Sequence, residues 1–204
     1  MDRSRRQFLL YGGAAVGASL LTIGILNLPL GVESSDVESS SHERFPDTLL
    51  QSHDGKTYRF YDDLVKGKIV VINFFYTECG DVCPLTTQNL AEVQRLLGDR
   101  VGRDIFMYSI TLQPEIDTAE MIKEYVEVYD VQPGWLFLRG SRADTDMLRR
   151  KLGFASSDPA IDADPEQHIG TIRVGNDTID RWTGSSPFAS PEEIVETLLS
   201  VVPA

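Results

Sequence analysis

The 204-residue chain holds only two cysteines and three histidines. Two cysteines cannot staple a small disulfide scaffold, and a chain this long buries enough surface to need no staple. If they matter, they matter as a pair. Positive charge is also scarce: 19 Lys and Arg stand against 31 Asp and Glu, for a net charge of −12. Asp2, Arg3, Arg5 and Arg6 give the first 32 residues +2, so the remainder carries −14. A body that acidic repels phosphate backbones, which argues against a nucleic-acid partner. It is compatible with cationic partners, metal ions or simple solubility. Internal repeats are absent, and 42% hydrophobic with 25% charged residues is ordinary globular usage. Collagen-like, wholly disordered and multi-span membrane classes are thereby excluded.

The chain opens with Ser4-Arg5-Arg6-Gln7-Phe8-Leu9-Leu10 and then stays uncharged from Phe8 to Leu30. Helical rise carries such a stretch roughly 35 Å, enough for a hydrocarbon core about 30 Å thick. Paired arginines before a Gly- and Ala-rich apolar segment read as a twin-arginine export signal; a signal anchor on the general secretion route is the alternative. Positive charge on the cytoplasmic side places the rest of the chain on the extracytoplasmic face, where thiols can be oxidised. No Ala-x-Ala precedes a polar boundary, so the segment is expected to stay as a membrane anchor, with Val16-Gly17-Ala18 as the weaker cleavage alternative. The absence of a nearby cysteine excludes lipoprotein attachment. Residues 1–32 are therefore read as signal and anchor, 33–44 as a Ser- and Glu-rich flexible linker, and 45–204 as the working domain.

Within that domain, Thr57–Tyr61 predicts an edge strand after the Asp54-Gly55 turn, and Lys68–Tyr76 a strand buried on both faces. Pro84–Leu97 predicts a helix with Leu85, Leu90, Val93, Leu96 and Leu97 inward, stopped at Gly98. A second core strand follows at Asp104–Leu112. Next come a helix at Asp117–Tyr129, capped by Thr118 with Met121, Ile122, Tyr125 and Val128 on one face, and a strand at Trp135–Leu138. Ala143–Leu152 is a helix ending at Gly153, and Ile169–Val174 and Ile179–Trp182 flank a Gly175-Asn176-Asp177 hairpin turn. Pro191–Val201 closes the chain as a helix with Ile194, Val195, Leu198 and Leu199 inward. This order predicts an α/β, thioredoxin-like fold: a central mixed sheet, parallel first and antiparallel last, flanked by helices.

Both cysteines sit between the first core strand and its helix, in Thr77-Glu78-Cys79-Gly80-Asp81-Val82-Cys83-Pro84. Chemistry gathers at strand carboxyl ends, and a helix N-terminus there favours thiolate over thiol. Four residues apart on a helical turn, their Cα atoms lie about 6 Å apart, close enough for a disulfide. The same spacing turns both sulfurs toward one ion. Reversible disulfide formation and soft-metal ligation both remain open; three intervening residues, rather than the two of a thioredoxin motif, tilt the balance toward metal. Thiolates select Cu(I) or Zn, and a histidine nitrogen extends tolerance to Cu(II). His42 lies in the linker, and His53, beside the Asp54-Gly55 turn, is expected to face solvent. His168 ends a long polar loop, Ser156–Gln167, and leads directly into a strand. It is either a third ligand or a satisfied polar histidine.

The segments FFYTECGDVCP, SITLQPEIDTAEMIKEYVEVYDVQPGWLFLRG and EQHIG, in order between Phe45 and Val202, resemble the Sco/SenC family of copper-binding, thioredoxin-like proteins. The resemblance maps the family's Cys-x3-Cys-Pro onto Cys79, Cys83 and Pro84, and its distant histidine onto His168. It implies copper, as Cu(I), Cu(II) or both, delivered to the binuclear copper site of cytochrome c oxidase subunit II. The alternative is a thiol–disulfide reductase keeping that subunit's cysteines reduced, with Cys79 and Cys83 as its catalytic pair. Another copper carrier or thiol reductase would act upstream. Three positions depart from the family pattern. Gly80 stands where proline is common, Gln113 where an aspartate often precedes proline, and Gln167 where an aspartate often precedes the histidine. The last two remove charge that could orient the histidine or tune affinity.

Overall fold

The computed structural model describes residues 44–80, 82–163 and 170–203. The expected membrane segment, most of the linker, His42, Asp81 and His168 lie outside them. Among the described residues, no helix is long and apolar enough to cross a membrane.

Seven strands form one sheet: β1 (Leu49–Ser52), β2 (Thr57–Arg59), β3 (Ile69–Phe75), β4 (Ile105–Thr111), β5 (Trp135–Arg139), β6 (Ile172–Asn176) and β7 (Arg181–Ser185). Their spatial order is β2-β1-β5-β4-β3-β6-β7. β3, β4 and β5 run parallel, in the register Phe75 opposite Thr111 and Ile110 opposite Leu138. The β6–β7 ribbon is antiparallel to β3, and the β1–β2 hairpin is antiparallel to β5. The fold is therefore the expected mixed sheet, with one addition: β1 was not expected. Its sequence, Leu-Leu-Gln-Ser, turns only Leu50 and Ser52 inward, too few residues for alternation to announce a strand.

The helices are α1 (Val82–Leu97), α2 (Ala119–Val128), α3 (Arg142–Lys151), α4 (Pro159–Ala163) and α5 (Pro191–Leu199). Thr118, Ser141 and Ser190 accept hydrogen bonds from backbone N–H groups in the first turns of α2, α3 and α5, and Glu193 completes a capping box on α5. A Thr87–Tyr125 hydrogen bond of 2.8 Å joins α1 to α2, and α1 also packs against α5. Tyr125 stacks near Phe75 on that face, while Phe154, just beyond α3, meets Phe74 on the other. Successive β3 residues point to opposite faces, which explains why all of β3 beyond Ile69 is buried.

Several inward positions are corrected. Leu85 and Leu96 of α1 and Leu199 of α5 are exposed, and Val128 is 78% exposed, its place in the core taken by Val126. These residues lie on the shoulders of apolar stripes narrower than the sequence spacing implied. Phe60–Val65 is one π-helical segment that cuts the second strand short after Arg59. The hairpin turn lies two residues later than expected: Gly175 and Asn176 pair within β6, and Asp177–Ile179 turns with Asp180 left-handed at φ 46°. Within the polar loop, Pro159–Ala163 forms a short helix, whose Asp162 pairs with Arg149 through contacts of 2.6 and 2.8 Å.

Candidate metal and thiol site

The carboxyl end of β3 carries both cysteines. Cys79 N–H bonds back to Tyr76 O at 3.3 Å, turning the chain, and α1 begins at Val82, two residues before Pro84. Pro84 fits the first turn because no intrahelical partner is required of its nitrogen there. The N–H of Cys83 donates to Cys79 Sγ at 3.3 Å, so the helix start directs one of its free donors onto that sulfur. The two cysteines are not joined as a disulfide.

Their environments differ. Cys83 is 7% exposed and packs in the core, whereas Cys79 is half-buried at the rim. Burial pushes the Cys83 thiol well above its ordinary range, reinforced by the bond to Cys79 and by the charges of Cys79 and Asp117; a backbone hydrogen bond to Tyr76 works the other way. A ligand that replaces the proton on Cys83 removes that penalty, because a bound cation neutralises the thiolate.

The loop is held by a carboxylate that the sequence had marked only as a helix start. Asp117 is fully buried. Its Oδ1 accepts from Thr77 N–H at 3.2 Å and from the Thr77 hydroxyl, and its Oδ2 accepts from the Thr111 hydroxyl. Thr77 precedes Cys79 by two residues, so this one side chain fastens the cysteine turn to the end of β4. Arg139 and Arg142 steady the intervening loop by donating to Pro114 O (2.9 Å) and Leu112 O (3.2 Å). The signal for these roles was a Thr–Asp–Thr set spread over two loops and the end of β4, invisible to periodicity.

The structure brings Cys79 and Cys83 together; His168 lies outside the described residues. Among the described residues, no group of three or more His, Cys, Asp or Glu is placed to hold a metal. Gly170, two positions after His168, lies against the cysteine loop: a Cβ built there would meet Val82 Cγ1 at 2.8 Å. His53 is not the solvent-facing residue expected. It is half-buried, its Nδ1 accepts from Phe137 N–H at 3.2 Å, and burial lowers its pKa below the usual 6.5 against the pull of Asp54.

A family model described as SCO1/SenC matches residues 43–174. The structure of Bradyrhizobium japonicum ScoI with copper bound is 27% identical and superposes with a TM-score of 0.60 over 76% of this chain and 97% of that one. BsSco, a member of the Sco family of cytochrome c oxidase assembly proteins in which a disulfide switch is identified, shares the fold at 21% identity. Its TM-score is 0.59 over 75% of this chain and 90% of that one. A SCO2-like protein of Rickettsia felis is 32% identical over 82 residues, 40% of this chain and 38% of its own length. The matched segment spans half the length or less of the curated relatives it aligns with.

Proposed function

The chain belongs to the SCO1/SenC family, and on that premise we propose that it is a copper metallochaperone working on the extracytoplasmic face of a membrane. Copper is its cargo, held by Cys79 and Cys83 as thiolates and by His168, and passed to the binuclear site of cytochrome c oxidase subunit II. Residues 1–32 export and anchor it; 33–44 tether the domain. The observation that carries this reading is the pairing of Cys79 with Cys83 at the carboxyl end of β3, where the Cys83 N–H donates to Cys79 Sγ at 3.3 Å.

The donors fit the cargo. Two adjacent sulfurs suit Cu(I), and one imidazole nitrogen extends the site to Cu(II). Both thiol protons leave as the metal binds. Three ligands leave an open coordination edge where an acceptor's sulfur or nitrogen can enter, so transfer proceeds by exchange rather than release. Cys79, nearer solvent, yields its bond first; Cys83, deep in the core, lets go last. The copper-bound Bradyrhizobium relative and the oxidase-assembly description of BsSco support the reading.

The test is an anaerobic titration of the reduced chain with Cu(I) and Cu(II), beside His168→Ala. One copper per chain is expected, with Cu(II) binding lost in the variant and Cu(I) binding largely kept. Equal loss of both ions would overturn the division of labour between sulfur and nitrogen.

The unequal burial of the two thiols favours a second reading, a thiol–disulfide reductase. Cys79 thiolate would attack a partner disulfide, expelling one partner thiolate and forming a mixed disulfide. Cys83 would then displace the second partner sulfur, leaving the pair oxidised and the partner reduced by two electrons. A mixed disulfide trapped by Cys83→Ser, with His168→Ala fully active, would move the conclusion to this chemistry.

A further inference from the structure

β6 and β7 carry a second feature that the copper reading does not use. A cleft of about 140 Å³ is lined by Arg44, Phe45, Lys151, Gly153, Arg173 and Trp182. Three cationic side chains converge there on a chain of net charge −12. Two of them have partners: Arg44 is paired with Asp180, one contact measuring 3.1 Å, and Lys151 has an interaction of its own. Arg173 differs. Its Nε donates to Leu152 O at 3.0 Å, beyond the end of α3, which fixes the guanidinium plane, and no carboxylate among the described residues meets its remaining N–H groups. Gly153, at φ 80°, makes room for it: a Cβ there would lie 2.4 Å from Arg173 Nη2.

Trp182 forms another wall. Its six-membered ring lies over Gly175, where a Cβ would come within 2.2 Å, and its centroid is 4.6 Å from that of Phe45. Its indole N–H is shielded from water and finds no acceptor among the described residues, so Trp182 meets the cleft as an apolar wall. A fixed guanidinium with spare donors, flanked by two further cations, lacks an anionic oxygen. Guanidinium geometry matches phosphate through paired hydrogen bonds. The cleft exceeds the roughly 30 Å³ share of one water several-fold, enough for a tetrahedral oxyanion.

We propose that this cleft binds a phosphate group, free or at the head of an anionic lipid, with Arg173 as its principal ligand and Arg44 and Lys151 supplying field. Trp182 offers apolar surface to whatever the phosphate carries. The site is independent of copper.

Trp182 makes the site observable, because the only other tryptophan, Trp135, is 1% exposed in the core. The full chain in zwitterionic detergent is titrated with inorganic phosphate, with chloride at matched ionic strength, and with micelles doped with phosphatidylglycerol or phosphatidylcholine. A saturable change in tryptophan emission is expected, absent in Trp182→Phe and weakened about tenfold or more in Arg173→Gln, the loss of one charge-assisted pair. A response to phosphate assigns the free anion; a response to phosphatidylglycerol alone assigns the headgroup. No response, a response equalled by chloride, or one surviving Arg173→Gln overturns the site. Should Arg173→Gln fail to fold, the double variant Arg44→Gln, Lys151→Gln must weaken binding at least threefold, and unchanged affinity there would be equally decisive.

Discussion

Two buried aspartates, one at each end of β3, do opposite things. Asp117, at the cysteine end, has both carboxylate oxygens occupied by donors from Thr77 and Thr111. Asp177, just past β6 at the other end, accepts from Gly67 N–H at 2.8 Å and Tyr61 OH at 3.5 Å through one oxygen, while Oδ1 is buried with no partner among the described residues. One carboxylate is saturated and ties three chain segments into a single geometry. The other is half-used and closes a turn. The saturated end presents the cysteines and fixes the turn that carries them; the half-used end closes a turn at the opposite end of β3.

The sharpest way to break this contrast is Asp117→Ala. It leaves the donors of Thr77 and Thr111 without acceptors in the core, and a loss of about 3 kcal/mol or more is expected in denaturant unfolding, since each stranded buried donor costs roughly 1–3 kcal/mol. Thr77→Val should cost about 1 kcal/mol of stability yet slow copper transfer, because it frees the cysteine turn while α1 and the sheet stay intact; stopped-flow transfer to a chelator separates the two effects. Asp177→Asn is expected to change stability by less than about 1 kcal/mol in either direction, since one oxygen already lacks a partner and the amide removes a buried charge. A loss as large as that of Asp117→Ala would abolish the distinction.

The smallest effect concerns pH. His53 is neutral in the fold because burial lowers its pKa below 6.5 and its Nδ1 accepts the Phe137 N–H. The unfolded chain takes up a proton as pH falls through about 6.5 while the folded chain does not, so stability is full above that pH and declines below it. The decline continues until pH reaches the lowered folded value. His53→Gln, which can still accept the hydrogen bond but cannot titrate, should flatten this part of the curve. An unchanged slope would assign it to other groups.

Much of the molecule could be read from the chain. The β-branched and aromatic runs gave β3, β4 and β5 to within a residue or so, and Thr118 was identified as a cap. Cys-x3-Cys-Pro reads as a junction between strand and helix, and both cysteines lie there, after β3 and at the start of α1. What escaped depends on partners distant in sequence. β1 exists because Gln51 and Ser52 pair with Arg139 and Leu138, more than eighty residues away. Asp117 looked like the first residue of a helix, and nothing local says that Thr77, forty residues earlier, needs its carboxylate. His53 beside Asp-Gly reads as a turn residue until the N–H of Phe137 is placed against it.

Across the middle of the sheet, Trp135 Nε1 donates to Ser109 Oγ at 2.9 Å, and Ser109 in turn donates to Asn73 Oδ1 at 2.6 Å. These side chains stand on β5, β4 and β3, and they pin the strands at one height by bonds that a one-residue slip would break. The loops at the strand ends then behave like attachments on a ruled bar. Their sequences, Gly80 and Gln113 among them, can drift without the bar shifting beneath them. Divergence at the rim can therefore alter the surroundings of the cysteine loop, while the levels at which Thr77 and Thr111 meet Asp117 stay where the sheet puts them.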